Sequence, residues 1–410
     1  MIKGKKFGAR AIMQWGVPGL LFLLSFFPVP ESWAVGNIHF GLMEIHPGIQ
    51  IKRTYRRLVD EDDSDSGDDW VTTYSPGLKV QWPIRQHALK CDWLLQYPRY
   101  DKHSNWNYDG QRLSTVGNFL FGLGGRQITL ELGHLQVKTD EPADISESRR
   151  KFEQSRLSSK LGINLNNNLR LDFSYSQENY DYQNSDLDDQ KIYQYAASVN
   201  VRIKPKTVAF ISGIHTKHDY NDVVNDSGTW TIGPGLRWDA TAKLSGQISG
   251  GYSWKDYETQ DSLNTWVIKV DLTHRLTDHT NLSLGIDKGE RDHSVLKRDE
   301  NGNIKYDANG NMEEDFDNYA FQQVRISLDH QLTYKVKALS GFTYEYDKYH
   351  GIYRQDTVFS WRLGLRYQIQ EWMVTDVEFE KRHRDSAGEG FYAASGYDNN
   401  IFSLSLGLAL

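Results

Sequence analysis

Two segments of the sequence carry the oxygen-rich side chains that calcium-binding loops use. They are DENGN (299–303) and DANGN (307–311), in which Asp and Asn recur at short spacing. The glycine that such a loop needs at its sixth position and its distal Glu ligand are both misplaced here. Asn-Gly pairs are also favoured hairpin-turn residues. We therefore predict an external hairpin loop with no metal site and no cofactor.

The nucleophiles and acid–base groups show no catalytic spacing. The 13 His residues are scattered, and none stands with Ser and Asp in a pattern typical of a hydrolase. Cys91 is the single cysteine, which excludes an internal disulfide and a set of thiolate metal ligands. We expect no catalytic residues, and we therefore predict that the protein is not an enzyme. Cys91 is interpreted as a small residue that is buried or faces lipid.

The remaining charged side chains follow one parity of alternating segments. In LRLDFSYS (169–176) and WVIKVDLTHRL (266–276), large apolar residues alternate with charged or small ones. Strict alternation places the two sets on opposite faces of a β-strand. The final segment alternates in the same way, and we predict that it is the strand recognised by the barrel-assembly machinery. Its apolar face comprises Phe402, Leu404, Leu406, Leu408 and Leu410.

About eighteen such segments follow one another from near residue 40 to the C-terminus. Short and long connections alternate between them. The longest connections are rich in Asp, Asn and Gly and are predicted near 58–69 and 293–316. The short turns are predicted at 83–86, 124–126, 166–168, 204–206, 239–241, 277–280, 333–335 and 369–372.

Long strands joined in this way indicate a membrane barrel. A β-propeller also repeats at about 40 residues, but each of its blades needs four short strands. A soluble sandwich has strands of only about 5–6 residues. We therefore predict an all-β, antiparallel, up-and-down transmembrane barrel of about 18 strands, in the range 16–18, with short periplasmic turns and longer extracellular loops.

The N-terminus has the organisation of a secretory signal peptide. Lys3, Lys5, Lys6 and Arg10 precede an apolar stretch, and Ser-Trp-Ala ends at Ala34. We predict cleavage after Ala34, which divides the chain into a signal peptide (1–34) and one barrel domain (35–410). An exported barrel of this kind is expected in the outer membrane of a Gram-negative cell.

Aromatic residues make up 13% of the chain and concentrate near the predicted strand ends. Because lipid–water interfaces select Tyr and Trp, we predict two aromatic rows on the barrel. The row near the short turns comprises Trp82, Trp238, Tyr334, Tyr367 and Trp372. The row near the long loops comprises Tyr55, Tyr97, Tyr100, Tyr180, Tyr182, Tyr220, Trp254, Tyr257, Tyr346 and Tyr349.

If the apolar parity faces lipid, the other parity faces the barrel interior. Its charges are mixed in sign, which suits a hydrated channel for a polar solute rather than one ion type. Alternatively they pair across strands and stiffen the wall, as Arg362 and Arg366 can with the acids near 376–380. The candidate lumen residues are Lys79, Lys90, Asp92, Glu131, Arg170, Asp172, Arg202, Arg237, Asp239, Lys269, Asp271, Arg325, Asp329, Arg362, Arg366, Asp376, Glu378 and Glu380.

Three segments carry a family resemblance over most of the chain. GLMEIHPGIQIKRTY (41–55), DDWVTTYSPGLKVQWP (68–83) and WDATAKLSGQISGGYSWKDYE (238–258) resemble a family of porin-like outer-membrane β-barrels associated with exopolysaccharide export loci of Gram-negative bacteria. Where that family commonly has an acidic patch, Arg56 and Arg57 stand here. The C-terminal residue is Leu410 where such barrels usually have an aromatic residue.

The resemblance implies a passive conduit for exopolysaccharide or another polar polymer. Two alternatives stay open: a general or substrate-specific porin for small polar solutes, and a structural barrel or scaffold with no transport role. The expected partners are outer-membrane lipid and lipopolysaccharide, the barrel-assembly machinery and periplasmic polysaccharide-export proteins. We expect no nucleic-acid partner.

Overall fold

The structure is a computed structural model. It describes residues 38–57, 67–123, 126–141, 150–183, 189–221, 226–238, 243–258, 262–296, 314–350, 354–388 and 396–409. The predicted signal peptide, the segment with DENGN and DANGN, Asp239 and Leu410 lie outside the described residues. Within them, no helix is both long enough and apolar enough to cross a bilayer.

Nineteen β-strands account for most of the described residues, and the barrel strands are 12 to 18 residues long. A short 3-10 helix spans Ser104–Trp106. The strands are β1 (Ile38–Phe40), β2 (Met43–Arg57), β3 (Asp68–Ile84), β4 (His87–Tyr100), β5 (Gly110–Leu123), β6 (Arg126–Glu141), β7 (Arg150–Asn164), β8 (Leu169–Tyr182), β9 (Gln190–Lys204), β10 (Thr207–Tyr220), β11 (Ser227–Trp238), β12 (Leu244–Tyr257), β13 (Leu263–Thr277), β14 (Thr280–Leu296), β15 (Glu314–Gln331), β16 (Val336–Tyr349), β17 (Arg354–Gln370), β18 (Met373–Gly388) and β19 (Tyr397–Ala409).

The sheet closes on itself. Each strand from β2 to β19 pairs antiparallel with its chain neighbours, and β19 pairs with β2 from Phe402↔Tyr55 to Ala409↔Gly48. Strand β1 pairs with Met43–Ile45, the part of β2 that lies beyond its last β19 partner. Strand β1 therefore covers part of the β2 edge that β19 does not reach. The result is the predicted barrel of eighteen strands.

Side-chain parity explains why this polar sequence forms a membrane barrel. On β13, Trp266 and Ile268 are 65% and 43% exposed on the outer face. Lys269 and Asp271 alternate with them and therefore lie on the inner face. The same alternation runs through the other barrel strands, so the outer skin is apolar and the inner skin is polar. Exposing the apolar outer face to water would be unfavourable in free energy, whereas lipid chains solvate it.

The number of strands sets the size of the interior. Eighteen strands tilted as in membrane barrels give a backbone diameter of roughly 35 Å. Barrels of this size leave an aqueous lumen where smaller ones are filled by side chains. The strands also extend into the predicted loops, since β14 continues to Leu296, β15 begins at Glu314 and β3 begins at Asp68.

The predicted aromatic row near the long loops is wrong in part. Tyr55, Tyr97, Trp254 and Tyr346 have outward parity, as an interfacial row requires. The others have inward parity, and most of them are buried, so they cannot contact lipid headgroups. Their position instead makes an inner aromatic collar at the long-loop end. The inward residues are Tyr100, Tyr180, Tyr182, Tyr220, Tyr257 and Tyr349.

Two prolines interrupt the ladder on the outer face. At Pro234 the β11–β12 ladder has a gap between Ile232↔Tyr252 and Gly235↔Ser249, with no change of register. Pro76 marks a similar gap between β3 and β4. Proline has no N–H to donate, so the ladder bond at these positions is lost. A Cβ on Gly251 would lie 2.6 Å from the carbonyl oxygen of Ile232, so this close approach of the two strands requires glycine.

Candidate functional site in the barrel interior

The register places the predicted lumen residues on the inner face of the barrel. In the strand register, Lys79 lies opposite Asp92 and Lys269 lies opposite Asp287. The inward candidates are Lys79, Lys90, Asp92, Glu131, Arg170, Asp172, Arg202, Arg237, Lys269, Asp271, Arg325, Asp329, Arg362, Arg366, Asp376, Glu378 and Glu380. The apolar candidates Phe402, Leu404, Leu406 and Leu408 have outward parity.

Strands β17 and β18 carry a ladder of ion pairs that begins near the short turns. Arg366 Nε donates to Asp376 Oδ1 at 2.6 Å. Higher on the wall, Arg362 and Arg382 both donate to Glu380, each at 2.9 Å. Charge-assisted bonds of this kind hold both partners against the wall. The cross-strand pairing that the sequence left open as an alternative therefore forms here.

The ladder continues toward the long-loop end through residues that were not predicted. Asp356 accepts hydrogen bonds from Arg354 at 2.6 Å and from Arg384 at 2.5 Å. The side chains of Arg354 and Asp356 are each only 1% exposed. Two cations thus share one buried carboxylate, and the Arg354 guanidinium also lies 4.6 Å from the Tyr349 ring centre. A buried cluster of this density rigidifies the mouth of the barrel.

The alternation that revealed the lower ladder also extends through this upper cluster. Glu345, Asp347 and Tyr349 occupy successive inward positions on β16. Arg354 and Asp356 do the same at the start of β17. The sequence signal was therefore present, at the strand ends beside a long loop.

Glycines on the inner face let arginines lie flat along the wall. Asp271, Gly285 and Arg325 occupy directly paired positions on three consecutive strands. Arg325 extends over Gly285, and its Nη2 lies 3.9 Å from Asp271 Oδ1. A Cβ on Gly285 would lie 2.9 Å from Arg325 Nε. The glycine therefore leaves the space that the guanidinium occupies.

A second arginine crosses a glycine in the same way. Arg170 on β8 extends over Gly162 on β7 and donates to Thr129 Oγ1 on β6 at 2.8 Å. It also pairs with Asp172 at 2.7 Å. The repetition on another part of the wall indicates that flat arginines are a property of this lumen. They keep charge on the surface without filling the channel.

Strands β9 to β12 form a neutral sector of the inner wall. Among their described inward residues, charges lie only toward the strand ends, at Arg202, Lys204, Arg237 and Lys255. Thr231 and Ser253 are hydrogen-bonded at 3.0 Å. Between the ends the sector carries the apolar Ile214 and hydroxyl, amide and small side chains: Gln194, Ala196, Ser198, Ser212, Thr216, Thr231, Gly233, Ser249, Gly251 and Ser253.

The β4–β5 connection spans the rim at the long-loop end. Inside the rim, the buried carboxylate of Asp69 lies 2.9 Å from His103 Nδ1 and accepts the backbone N–H of His103 at 3.1 Å. Outside it, Arg53 donates to Asp101 at 2.9 Å. This hydrogen bond lowers the pKa of the Asp101 carboxyl. Trp106 packs edge-on against the inward Tyr100, which further holds the connection against the rim.

The inner wall offers cation and anion partners rather than metal ligands. Within the part of the chain that the structure describes, no group of three or more His, Cys, Asp or Glu side chains is arranged to hold a metal ion. Asp376 and Glu380 instead contact arginines. This arrangement can bind and guide polar solutes by hydrogen bonds.

A closed, antiparallel barrel with an apolar outer skin and a charged inner wall is the architecture of outer-membrane β-barrels. The family described as "Putative beta-barrel porin 2" matches residues 34–410. The chain therefore belongs to this porin family. No match is found among the curated proteins.

Similar solved structures include proteins of Pseudomonas aeruginosa. OccK2 (OpdF) aligns with a TM-score of 0.49 and 9% identity over 89% of this chain and 98% of that one. OccK9 (OpdG) aligns with a TM-score of 0.48 and 10% identity over 90% and 98% of the two chains. A structure of OccK2 in complex with glucuronate aligns with a TM-score of 0.48 and 11% identity over 89% and 98%.

Proposed function

We propose that the protein is an outer-membrane channel that admits small polar solutes by passive diffusion. The observation that carries this proposal is the compensated inner wall, in which arginines and carboxylates neutralise one another in place. Glu380 between Arg362 and Arg382 is the central example. A solute entering such a lumen finds hydrogen-bonding partners and water without a strong net field of one sign. Membership in a porin family supports the same function.

The inner wall offers two kinds of surface. The ladder on β17 and β18 presents charged groups, and the sector on β9 to β12 presents hydroxyl and amide groups. A solute that carries both charge and hydroxyls can contact both surfaces during passage. We therefore assign small polar metabolites of mixed character, rather than simple ions, as the preferred cargo.

Export of exopolysaccharide is the second candidate function. The neutral sector favours it, because the hydroxyls of Ser198, Ser212 and Ser249 could exchange hydrogen bonds with successive sugar units. In that case periplasmic polysaccharide-export proteins would deliver the polysaccharide to the barrel. Small-solute diffusion remains the first candidate because the chain belongs to a porin family.

Diffusion measurements separate the candidates. The refolded protein is placed in liposomes, and swelling is followed with sugars of increasing size, together with conductance in planar bilayers. Our proposal requires open conductance and swelling that declines with solute size. A barrel that neither conducts nor admits the smallest sugar would be structural. Loss of polymer export in a deletion strain, with no effect on small-solute uptake, would favour the polymer conduit instead.

The outward face of β19 is proposed as the surface for assembly. Phe402, Leu404, Leu406 and Leu408 form its apolar row. The barrel-assembly machinery is the expected partner, and lipid is the expected solvent of this row afterwards.

A further inference from the structure

A cavity of about 570 Å³ lies on the long-loop rim beside β4, β6 and β7. Its lining includes Arg99, Lys138 and Lys151, and one carboxylate, Asp109. These three cationic residues have outward parity in the register, so the cavity belongs to the outer surface of the wall. A solute inside the lumen would therefore not meet these groups.

The height of the cavity corresponds to the headgroup region of the outer leaflet. Tyr97 lies two residues below Arg99 on the same outward face, and the Arg99 guanidinium lies 5.7 Å from its ring centre. Tyr97 is paired with Tyr74, which is 43% exposed on the outer face. Outward Tyr pairs of this kind mark the lipid interface. Groups just above them meet lipid headgroups rather than acyl chains.

The cavity has a preformed wall and two lysines that can reach a ligand. Arg99 is held in place, since it donates to the Tyr108 carbonyl at 2.8 Å and to Asp109 at 2.7 Å. Lys138 pairs with Glu153 at 2.8 Å, but both side chains are 43% exposed. Lys151 contacts no carboxylate among the described residues. Asp109 and Glu153 offset two of the three cations, so the site keeps one net positive charge, which Lys151 carries.

We infer that this cavity binds a phosphate group of lipopolysaccharide, the phosphorylated glycolipid of the outer leaflet. Lys138 and Lys151 contact the phosphate oxygens, and Arg99 shapes the wall. The cavity volume is within the range of small-molecule sites, so a phosphorylated sugar unit fits beside the phosphate. The inference is independent of the transport proposal, because the site lies outside the lumen.

The test measures binding of purified lipopolysaccharide to the refolded barrel in non-ionic detergent. The variant Lys138→Gln/Lys151→Gln removes both phosphate contacts. The control Lys217→Gln/Lys348→Gln makes the same charge change at two exposed, outward lysines elsewhere on the long-loop end. Folding of each variant is checked by gel mobility before and after heating, and its conductance is measured.

We expect the test variant to bind intact lipopolysaccharide at least tenfold more weakly than the wild type does. Each lysine is expected to contribute a factor of about five to the affinity. The control should bind as the wild type does, and removing the glycolipid's phosphates should abolish the difference. Conductance should be unchanged in both variants. Equal affinity of test and control variants, or full binding after dephosphorylation, would overturn the inference. Displacement by millimolar inorganic phosphate alone would assign the site to free phosphate and also overturn it.

Discussion

Arg325 and Asp271 contact each other across an intervening strand. They lie on β15 and β13, and the Arg325 guanidinium passes over Gly285 of β14 to come within 3.9 Å of the carboxylate. Direct cross-strand pairs join only adjacent strands. The missing side chain at position 285 therefore extends the reach of the charge pairing from two strands to three. The channel wall therefore carries a fixed charge pair that does not narrow the channel.

Adding a methyl group at Gly285 should release this arginine. In Gly285→Ala the new Cβ meets Arg325 Nε at 2.9 Å, so the flexible side chain moves off the wall into the lumen. We expect lower single-channel conductance and a shift toward anion selectivity, with a stability change below about 1 kcal/mol. Gly341→Ala is the control, because its Cβ meets nothing closer than Arg362 Cβ at 3.9 Å. Equal conductance of the two variants would contradict the flat-arginine arrangement.

Neutralising Glu380 should change the ion selectivity of the channel. Glu380→Gln leaves Arg362 and Arg382 without their shared carboxylate. We expect the reversal potential in a salt gradient to shift toward anions, and the free energy of unfolding to fall by about 1–3 kcal/mol. Glu371→Gln, in the exposed turn between β17 and β18, makes the same charge change outside the ladder. A similar shift in both variants would show that the ladder does not set selectivity.

A charge on the outer face of β19 should impair assembly. Leu404→Lys places an ammonium group in the hydrocarbon region and should cost about 2–4 kcal/mol. Gln50→Lys is the control, since Gln50 lies on the adjacent strand with inward parity, opposite Gly407. The yield of heat-modifiable folded barrel measures the difference. Normal yield of Leu404→Lys alongside a failing Gln50→Lys would reverse the assigned facing.

Neutralising Asp69 should free the β4–β5 connection. The carboxylate is fully buried and accepts backbone N–H groups of Trp70, Lys102 and His103. Asp69→Asn weakens these bonds, so trypsin should cleave faster after Lys102 on intact cells. Asp219→Asn, at the long-loop end of β10, serves as the charge-matched control. Unchanged cleavage in Asp69→Asn would show that other contacts, such as that of Trp106, hold the connection.

Local alternation was enough to predict the barrel and the facing of its strands. Lys269 and Asp271 could be placed inward because Trp266 and Ile268 alternate with them over a long strand. The turns predicted at 166–168 and 333–335 fall between the observed strands, and those at 83–86, 204–206, 277–280 and 369–372 overlap the strand ends by one or two residues. Such information is contained in neighbouring residues.

What could not be predicted depends on register between distant segments. The contact of Arg325 with Asp271 requires the pairing of three strands, one of which follows a long insert. The β1–β2 hairpin is too short to give a periodic signal. These features follow from how the segments are aligned, which no single segment encodes.

The closure between β19 and β2 has an evolutionary consequence. Every other pairing joins strands that are consecutive in the chain, so each hairpin depends only on the hairpins that flank it. Duplication or loss of one hairpin would leave the remaining registers intact and alter the circumference by two strands. Lineages carrying this architecture can thus change pore diameter in discrete steps while the first and last strands of the barrel still pair.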